Sequence, residues 1–432
     1  MTDLVKPSLE RSWPAAVDGI ARWLEGGERI DALLDALPPS LTAQERARCR
    51  HLVLGVVRHA GGIETALDRL VAHPPRFVTR AILYVAGFEL VEAGTADPGS
   101  GLAARIGHHA VERAKVLASP DEARMVNAVV RKLAAAMAAR VPPGRLAAAA
   151  ELAEYYSHPE WLVRRWLATL GAVSTRSLLE WNQTPAPVYA RWRDSTRPAP
   201  DWLTPAAWPG FHTVPAGRWP EIESLLAAGS LYLQDPATAR AVALLDLRPG
   251  ETVLDLCAAP GGKSLLIADT LKAGRLVALD LPGPRLGRLE ENLARVAGVE
   301  AALVRCDLLA GAGRRLRELG LPTEYSAVLL DVPCSNTGVM RHRVDVKWRL
   351  QEGDFARHAR QQRAFLAAAS RLVAPGGRLV YSTCSIDPEE NERAAEVFVQ
   401  RNPAVVVEAR EILVPWEAGH DGAAAFRFRF PG

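Results

Sequence analysis

The chain has 432 residues, more than one ordinary hydrophobic core accommodates, so its length predicts two or three domains. Hydrophobic residues make up 49% of the chain and charged residues 23%, which is typical of a globular protein and excludes a disordered or membrane-embedded one. The net charge of +3 permits a polyanionic partner without requiring one.

The cysteines and histidines predict neither disulfides nor a metal site. The five cysteines are odd in number, far apart and never in a Cys-x-x-Cys pair, and none of the ten histidines has the spacing of a ligand pair. The start of the chain lacks the apolar core of a signal peptide, and no apolar run is long enough to span a membrane. We therefore expect a cytoplasmic monomer with free thiols, no metal and no membrane partner.

Residues 1–145 are predicted to form an all-α domain. Between about residues 15 and 141, Ala, Leu, Val and Arg recur at three- and four-residue steps, and Pro or Gly marks the breaks. The helices expected on this pattern cover residues 30–37, 42–59, 78–93 and 121–139.

Residues 146–232 are rich in Trp and Pro and predict a small α+β, RRM-like connecting domain. Short strands are expected at residues 188–192 and 210–214, with helices around them.

In residues 233–432, short apolar strands alternate with helices, which predicts a Rossmann-like, doubly wound and mostly parallel sheet. Residues 405–407 and 426–430 are expected to add antiparallel edge strands. The parallel strand candidates are residues 252–256, 276–279, 301–305, 327–330 and 379–382.

A turn of small residues, from Cys257 to Ser264, follows the first of these strands. Ligands of open α/β sheets bind at this carboxyl edge. The spacing differs from both GxGxxG and GxxxxGK[ST], which disfavours a nucleotide-phosphate site. By itself, such a turn is a tight connection without a ligand about as often as it is a ligand site.

Acidic residues in or after the strands strengthen the case for a ligand. Asp280 lies where doubly wound folds place a carboxylate on a pair of ribose hydroxyls. A single acid at a strand end is usually a cap, but four in register indicate a ligand site. The four are Asp255, Asp280, Asp307 and Asp331.

Two cysteines, Cys334 and Cys384, follow predicted strands at the same edge of the sheet. A thiolate is reachable near neutral pH and suits covalent catalysis, although a free cysteine is most often a small buried hydrophobe. We interpret Cys257 as a small residue of the turn, and Cys49 and Cys306 as structural.

Four motifs carry a resemblance to a known family. They read QDPATA at residues 234–239, VLDLCAAPGGKS at 253–264, DVPCSNTGVMRHRVDVKWR at 331–349 and YSTCSIDPEENE at 381–392. The chain resembles the NOL/NOP/Sun (NSUN) RNA cytosine-5 methyltransferases over nearly its whole length. Arg46, Arg48 and the run VNAVVRK at 126–132 resemble a NusB-like RNA-binding domain, which is typical of the RsmB/Sun type.

The resemblance implies a class I S-adenosyl-L-methionine (SAM)-dependent methyltransferase that makes 5-methylcytosine in small-subunit (16S) ribosomal RNA. A thiolate adds to C6 of cytosine so that C5 becomes nucleophilic. Cys384 would be this nucleophile, Cys334 would assist product release, Asp331 would bind the cytosine edge, and Lys263 would support the surroundings of the flipped base. The implied cofactor residues are Cys257, Ala258, Ala259, Pro260, Gly261, Gly262, Lys263, Asp280, Arg285, Asp307 and Asp331.

The chain departs from the family pattern at three places. Asn336 replaces the usual small residue after PCS, Val344 replaces a proline, and the tail HDGAAAF, at residues 420–426, lacks an aromatic pair. No catalytic group is lost, but the shape of the RNA pocket is affected. Since unstacking a base costs least in loops, a loop or single-stranded cytosine is the expected target.

Two other classes of function compete with this one. The chain could be a non-catalytic RNA-binding or ribosome-assembly factor, against which the intact Cys384, Cys334, Asp331 and Lys263 argue. It could also methylate DNA cytosine or a protein amide. DNA cytosine enzymes take their nucleophile from the PC motif and have no TCS partner, and amide enzymes need no such thiols.

Overall fold

The structure, a computed structural model, describes residues 11–94 and 101–432. The first ten residues, which bear on the expectation that no signal peptide is present, lie outside this range. Within it, no helix is both long enough and apolar enough to cross a membrane. The chain forms two compact units, Met1–Pro185 with Arg341–Arg349, and Ala186–Met340 with Leu350–Gly432. The three-domain division with boundaries at residues 145 and 232 stays a prediction.

The helices of the described residues are numbered in chain order. They are α1 (Ser12–Gly26), α2 (Ile30–Asp35), α3 (Ala43–Asp68), α4 (Phe77–Ala93), α5 (Leu102–Leu117), α6 (Pro120–Ala138), α7 (Ala149–Tyr155), α8 (Glu160–Gln183), α9 (Trp219–Ala227), α10 (Ala237–Leu244), α11 (Gly262–Leu271), α12 (Leu286–Leu293), α13 (Ala312–Glu318), α14 (Val346–Arg349), α15 (Asp354–Ala369), α16 (Glu392–Arg401) and α17 (Pro415–Ala418).

The strands are numbered in the same way. They are β1 (Tyr189–Trp192), β2 (Thr204–Pro205), β3 (Phe211–Thr213), β4 (Leu231–Leu233), β5 (Thr252–Leu256), β6 (Gly274–Asp280), β7 (Val299–Arg305), β8 (Tyr325–Asp331), β9 (Val373–Thr383), β10 (Val406–Leu413) and β11 (Ala423–Arg429).

Side-chain caps fix the starts of two long helices in the first unit. Before α3, the Thr42 hydroxyl accepts a hydrogen bond from the Glu45 amide at 3.2 Å, and the Glu45 carboxylate accepts one from the Thr42 amide at 2.8 Å. Before α6, the Ser119 hydroxyl accepts from the Glu122 amide at 3.2 Å. These caps satisfy amides that a helix leaves unpaired. The helices predicted for this region are confirmed.

The core of the first unit is formed by the apolar faces of these helices. Leu52 and Val56 of α3 are fully buried, and Gly55 between them lies directly against Phe88 of α4. A Cβ atom at Gly55 would be 2.0 Å from the Phe88 ring, so only glycine permits this approach. The all-α prediction for this part of the chain is confirmed.

A segment from far along the sequence, Arg341–Arg349, completes the first unit. The Lys347 Nζ atom donates to the Arg58 carbonyl at 2.8 Å, and the Trp348 indole nitrogen donates to the Val57 carbonyl at 2.8 Å. Val344, on the same segment, belongs to the apolar core of this unit. Part of the third motif found in the sequence therefore folds with the amino-terminal helices.

The second unit contains a small antiparallel sheet of four strands, in the order β2-β3-β1-β4. Together with α9, this sheet encloses a small apolar core of Ala190, Leu203, Ile222 and Leu231. The predicted α+β character is confirmed. The two predicted strands are each slightly shorter than expected.

The larger sheet of the second unit has the order β10-β11-β9-β8-β5-β6-β7. From β9 to β7 the neighbouring strands are parallel, whereas β11 and β10 pair antiparallel at one edge. Successive residues of β5, such as Val253 and Leu254, enter separate apolar cores on the two faces of the sheet. The doubly wound sheet with antiparallel edge strands is confirmed.

This topology gathers the predicted site residues at one edge. β9, β8, β5 and β6 are successive parallel neighbours, so their carboxyl ends lie side by side. Asp280 ends β6, Asp331 ends β8, and Cys384 follows β9 directly. The small-residue turn after β5 lies between them.

Candidate active site

The turn after β5 depends on two glycines. Gly261 has a left-handed φ of 102°, and a Cβ atom there would be 3.0 Å from Leu289. A Cβ atom at Gly262 would be 2.9 Å from the ring of Tyr232. The turn therefore packs closely against α12 and β4, and a larger residue would displace the backbone.

Asp280 ties this turn to the end of β6. One carboxylate oxygen of Asp280 accepts a hydrogen bond from the Ala259 amide at 2.7 Å, and the other accepts one from the Leu281 amide at 2.7 Å. Burial raises the pKa of Asp280, and the two backbone amides act against this shift. The side chain is only partly buried, so each oxygen keeps an acceptor position for a ligand hydroxyl.

A buried carboxylate, Asp255, lies behind the turn. The Ser264 hydroxyl donates to it at 2.5 Å. Burial raises the pKa of Asp255 to about 7, and the negative charges of Asp331 and Asp280 act in the same direction. Asp255 is therefore protonated in part of the molecules near neutral pH.

Cys257 lies where the four acids predicted from the sequence converge. Burial raises the pKa of its thiol far above the ordinary value, and the carboxylates add to that effect. These carboxylates belong to Asp280, Asp331, Asp255 and Asp307. The turn consequently lies in a negative environment, which favours a ligand with cationic groups such as a sulfonium and an ammonium.

The two remaining predicted cofactor residues lie on neighbouring loops. Asp307 follows β7, and its carboxylate accepts from the Leu309 amide at 2.9 Å. Arg285, exposed at the start of α12, acts electrostatically to lower the pKa of Asp280.

The two predicted catalytic thiols are in contact. The Sγ atoms of Cys334 and Cys384 are 3.2 Å apart. Cys334 is 6% exposed, and Cys384 is only partly buried. The hydrogen bond to Cys384 and burial together raise the pKa of Cys334 well above its ordinary value, so Cys334 remains a protonated donor.

The other thiols are poor nucleophiles. Burial raises the pKa of Cys49 to about 11, and it also raises the pKa values of Cys306 and Cys257. This agrees with the structural roles that the sequence suggested for Cys49 and Cys306.

An ion pair lies beside the thiols. The Lys263 ammonium is 2.7 Å from one carboxylate oxygen of Asp331, and the Ser382 hydroxyl donates to the other at 2.6 Å. Burial lowers the pKa of Lys263, but the charge and hydrogen bond of Asp331 outweigh it, so the pKa is raised. Lys263 is thus a permanent cation. Sequence reasoning gave Ser382 no role, although it lies directly before the TCS motif's threonine.

A pocket that is partly open to solvent brings three of the four predicted catalytic residues together. Cys384, Asp331 and Lys263 line it, whereas Cys334 lies behind Cys384. Asp235 and Asp421 also line the pocket. Asp235 belongs to the QDPATA motif, but the motif did not predict a role for it.

A buried glutamate holds the loop of Cys334. One carboxylate oxygen of Glu390, a fully buried residue, accepts from the Ser335 backbone amide at 3.0 Å and from the Gln362 side-chain amide at 2.9 Å. Its other oxygen accepts from the Ser335 hydroxyl. Glu390 belongs to the YSTCSIDPEENE motif, which was the only sequence signal for its importance. Its hydrogen-bond partners are distant in sequence, so the motif could not identify them.

The loops of the two thiols are also joined directly. The Gly338 amide donates to the Cys384 carbonyl at 3.0 Å, and the Thr337 hydroxyl donates to Asp387 at 2.7 Å. A Cβ atom at Gly338 would be 2.7 Å from the Gly422 carbonyl oxygen. The relative position of the thiols is therefore set by backbone and side-chain contacts between their two loops.

Comparison with known proteins identifies the family of the chain. Residues 242–426 match the family described as 16S rRNA methyltransferase RsmB/F, and residues 14–135 match the NusB family. The chain is 31% identical over 414 residues to ribosomal RNA small subunit methyltransferase B of Sodalis glossinidius (strain morsitans), covering 93% of this chain and 92% of that one. It is 30% identical over 417 residues to the protein of the same name from Erwinia tasmaniensis, with the same coverage.

Solved structures show the same fold. The crystal structure of PH0851 has a TM-score of 0.75 and 23% identity, and the match covers 98% of this chain and 99% of that one. The structure described as NSun6 from Pyrococcus horikoshii with SFG has a TM-score of 0.54 and 20% identity, covering 63% of this chain and 98% of that one. With relatives that match over nearly its full length, the chain belongs to the RsmB/F family of 16S rRNA methyltransferases, with a NusB-family region ahead of the methyltransferase region.

Proposed function

We propose that this protein transfers a methyl group from SAM to C5 of a cytosine in small-subunit ribosomal RNA. The observation that carries the proposal is the contact between the thiol of Cys384, which lines the pocket beside the Lys263–Asp331 ion pair, and the thiol of Cys334 behind it. A base held in that pocket would contact a nucleophilic thiol and a hydrogen-bonding pair, with the second thiol directly behind the first. A cytoplasmic location and a monomeric state stay predictions.

Cys384 is the nucleophile of this proposal. It is the thiol that faces the pocket, and the pKa of each of the other four thiols is raised. Its thiolate adds to C6 of the cytosine, which makes C5 electron-rich. C5 takes the methyl group as the methyl–sulfur bond of the donor breaks. A water molecule of the pocket, which is partly open to solvent, then accepts the C5 proton, and the electrons of that C–H bond restore the C5–C6 double bond and expel the Cys384 thiolate.

The neighbouring groups have separate tasks. The protonated thiol of Cys334 donates a hydrogen bond to the sulfur of Cys384, which stabilises that sulfur as a leaving group in the last step. Asp331 binds the cytosine edge and supports protonation at N3 as C6 is attacked. Lys263 and Ser382 hold the Asp331 carboxylate in position for this contact.

SAM fits the edge of the sheet beside this pocket. When bound there, it would supply a methyl group on a positively charged sulfur. Asp280 would accept the ribose hydroxyls, Asp307 would lie by the adenine, and the turn from Cys257 to Lys263 would line the ligand. The negative environment created by the four carboxylates suits its cationic groups.

The test measures the transfer of labelled methyl groups from SAM to unmodified small-subunit ribosomal RNA, followed by nuclease mapping of 5-methylcytosine. The wild-type protein is expected to label the RNA, Cys384→Ala to abolish labelling, and Cys334→Ala to accumulate a covalent RNA–protein adduct. Cys306→Ala is the matched control, since Cys306 is a partly buried thiol with no role in the pocket. Full activity in Cys384→Ala would refute the mechanism.

The same assay separates the competing functions. A non-catalytic RNA-binding protein would retain RNA without transferring any label. A methyltransferase for DNA cytosine would label single- or double-stranded DNA in preference to RNA. Neither outcome agrees with the proposal.

A further inference from the structure

The side chain of Asn336 contacts both cysteines, the thiol of Cys384 and the backbone of Cys334. Its Oδ1 atom lies 3.3 Å from the Sγ atom of Cys384, and its Nδ2 atom donates to the Cys334 carbonyl at 2.8 Å. Asn336 is also the residue that replaces the usual small residue of the family after PCS. A smaller side chain at this position would make neither contact.

The Cys334 carbonyl fixes which way the Asn336 amide faces. A carbonyl oxygen can only accept hydrogen bonds, so the NH₂ group of the amide has to point toward it. The amide oxygen then faces Cys384, and an oxygen can only accept from the thiol there. This resolves the choice between the two amide orientations on hydrogen-bonding grounds.

This orientation also fixes the thiol hydrogens. Because the S–H of Cys384 donates to Asn336, the contact between the sulfurs has to be made by the S–H of Cys334. The three groups therefore form a directed chain from Cys334 to Cys384 to Asn336. Loss of the proton from Cys384 would place its thiolate against the negative end of the amide dipole.

Charged groups face Cys384 from other elements of the pocket. Lys263, on α11, interacts electrostatically with Cys384 and is paired with Asp331 at the end of β8. The other charged residues that line the pocket are Asp235, Arg240, Glu411 and Asp421. These groups are unchanged by a substitution at Asn336, so variants there isolate the effect of the amide.

We propose that Asn336 is a positioning residue that holds the hydrogen of Cys384 on the side away from Cys334 and keeps the nucleophile protonated until a base enters the pocket. This inference rests on the proposed role of Cys384 as nucleophile. In a relative with a small residue at this position, the thiol would lack this acceptor and ionise more readily.

Two variants test the proposal without straining the backbone. Asn336 has a left-handed φ of 61°, which glycine and aspartate both tolerate. Asn336→Gly removes the acceptor, and Asn336→Asp replaces the amide with a negative charge of nearly the same size. Asn402→Asp is the matched control, since the Asn402 amide donates to the Phe398 carbonyl at 2.8 Å at the end of α16.

The measurement is the rate of alkylation of Cys384 by iodoacetamide from pH 6 to pH 10, in the full-length protein without RNA or SAM, located by peptide mass spectrometry. At pH 7 we expect Asn336→Gly to react about three- to tenfold faster than wild type and Asn336→Asp about tenfold slower. The differences between both variants and wild type should shrink as the pH approaches 10. Asn402→Asp should match wild type throughout.

The shape of the pH profile distinguishes protonation from access. A rate ratio that is constant at all pH values would mean that Asn336 only shields the sulfur, and it would overturn the proposal. Equal shifts in Asn336→Gly and Asn336→Asp would overturn it as well. Because the assay needs no methyl transfer, these results are independent of whether Cys384→Ala abolishes the proposed activity. Thermal unfolding of each variant verifies that it is folded.

Discussion

Asp255→Asn should remove a dependence of stability on pH. Asp255 is 1% exposed at the end of β5, and its pKa is raised to about 7 because burial disfavours the carboxylate. In the unfolded chain the same group titrates near pH 4. Between these two values the folded state binds one more proton than the unfolded state, so the stability falls as the pH rises.

The size of the effect follows from the two pKa values. Each pH unit over which one proton separates the folded and unfolded states is worth about 1.4 kcal/mol. Between pH 5 and pH 8, titration around pH 7 gives a loss of about 2.5 kcal/mol in the wild-type free energy of unfolding. Asparagine is neutral at every pH and can still accept the hydrogen bond from Ser264, so the variant should lack this loss.

The assay is urea unfolding of the full-length protein at pH 5, 6.5 and 8. Hydrogen exchange of the peptide that contains β5 reports the transition of the second unit separately from that of the first. Asp201→Asn, at an exposed position of the same unit, is the control and should not change the pH dependence. If the stability difference between wild type and Asp255→Asn is the same at all three pH values, the reasoning is wrong.

Three further substitutions test contacts inside each of the two units. Burial holds the pKa of Lys347 well below its usual value, so above that lowered pKa the unfolded state binds the extra proton. Relative to Lys347→Met, the wild-type stability of the first unit in urea unfolding should therefore rise with pH until the lysine of the unfolded chain also loses its proton; a stability difference that does not change with pH would contradict this. Glu390→Gln should lower the free energy of unfolding by about 1 to 3 kcal/mol and slow methyl transfer, because the NH₂ group of the new glutamine would face donors where the carboxylate accepts hydrogen bonds. Unchanged thermal unfolding and activity would contradict this. Gly55→Ala should lower the free energy of unfolding of the first unit by about 1 to 3 kcal/mol, because the new methyl group would overlap Phe88. Gly26→Ala, which has open space around it, should cause no such loss; calorimetry measures both variants.

The sheet and the position of the site could be predicted because both depend on local sequence. Strands such as Thr252–Leu256 are short apolar runs, and residues that follow parallel strands necessarily meet at one edge. On this basis the sequence places Asp280, Asp331 and Cys384 at one edge of the sheet. Their proposed roles came from the resemblance of the motifs.

The supporting contacts could not be predicted. The partners of Glu390 and Asn336 lie on loops about fifty residues apart in the chain, at distances that only the folded backbone determines. Asn336 was recognised as a departure from the pattern, but its contact with Cys384 depends on a left-handed backbone. The packing of Arg341–Arg349 with the amino-terminal helices was likewise hidden, because its alternating Val and charged residues suit many environments.

This last feature has a consequence for biosynthesis. The helices of the first unit leave the ribosome long before Val344, Lys347 and Trp348, which complete their core. Until about residue 349 has been synthesised, the carbonyls of Val57 and Arg58 lack these donors. The amino-terminal helices therefore cannot complete their core until Arg341–Arg349 has been synthesised. A fragment that ends before this segment would lack part of the core and expose apolar surface.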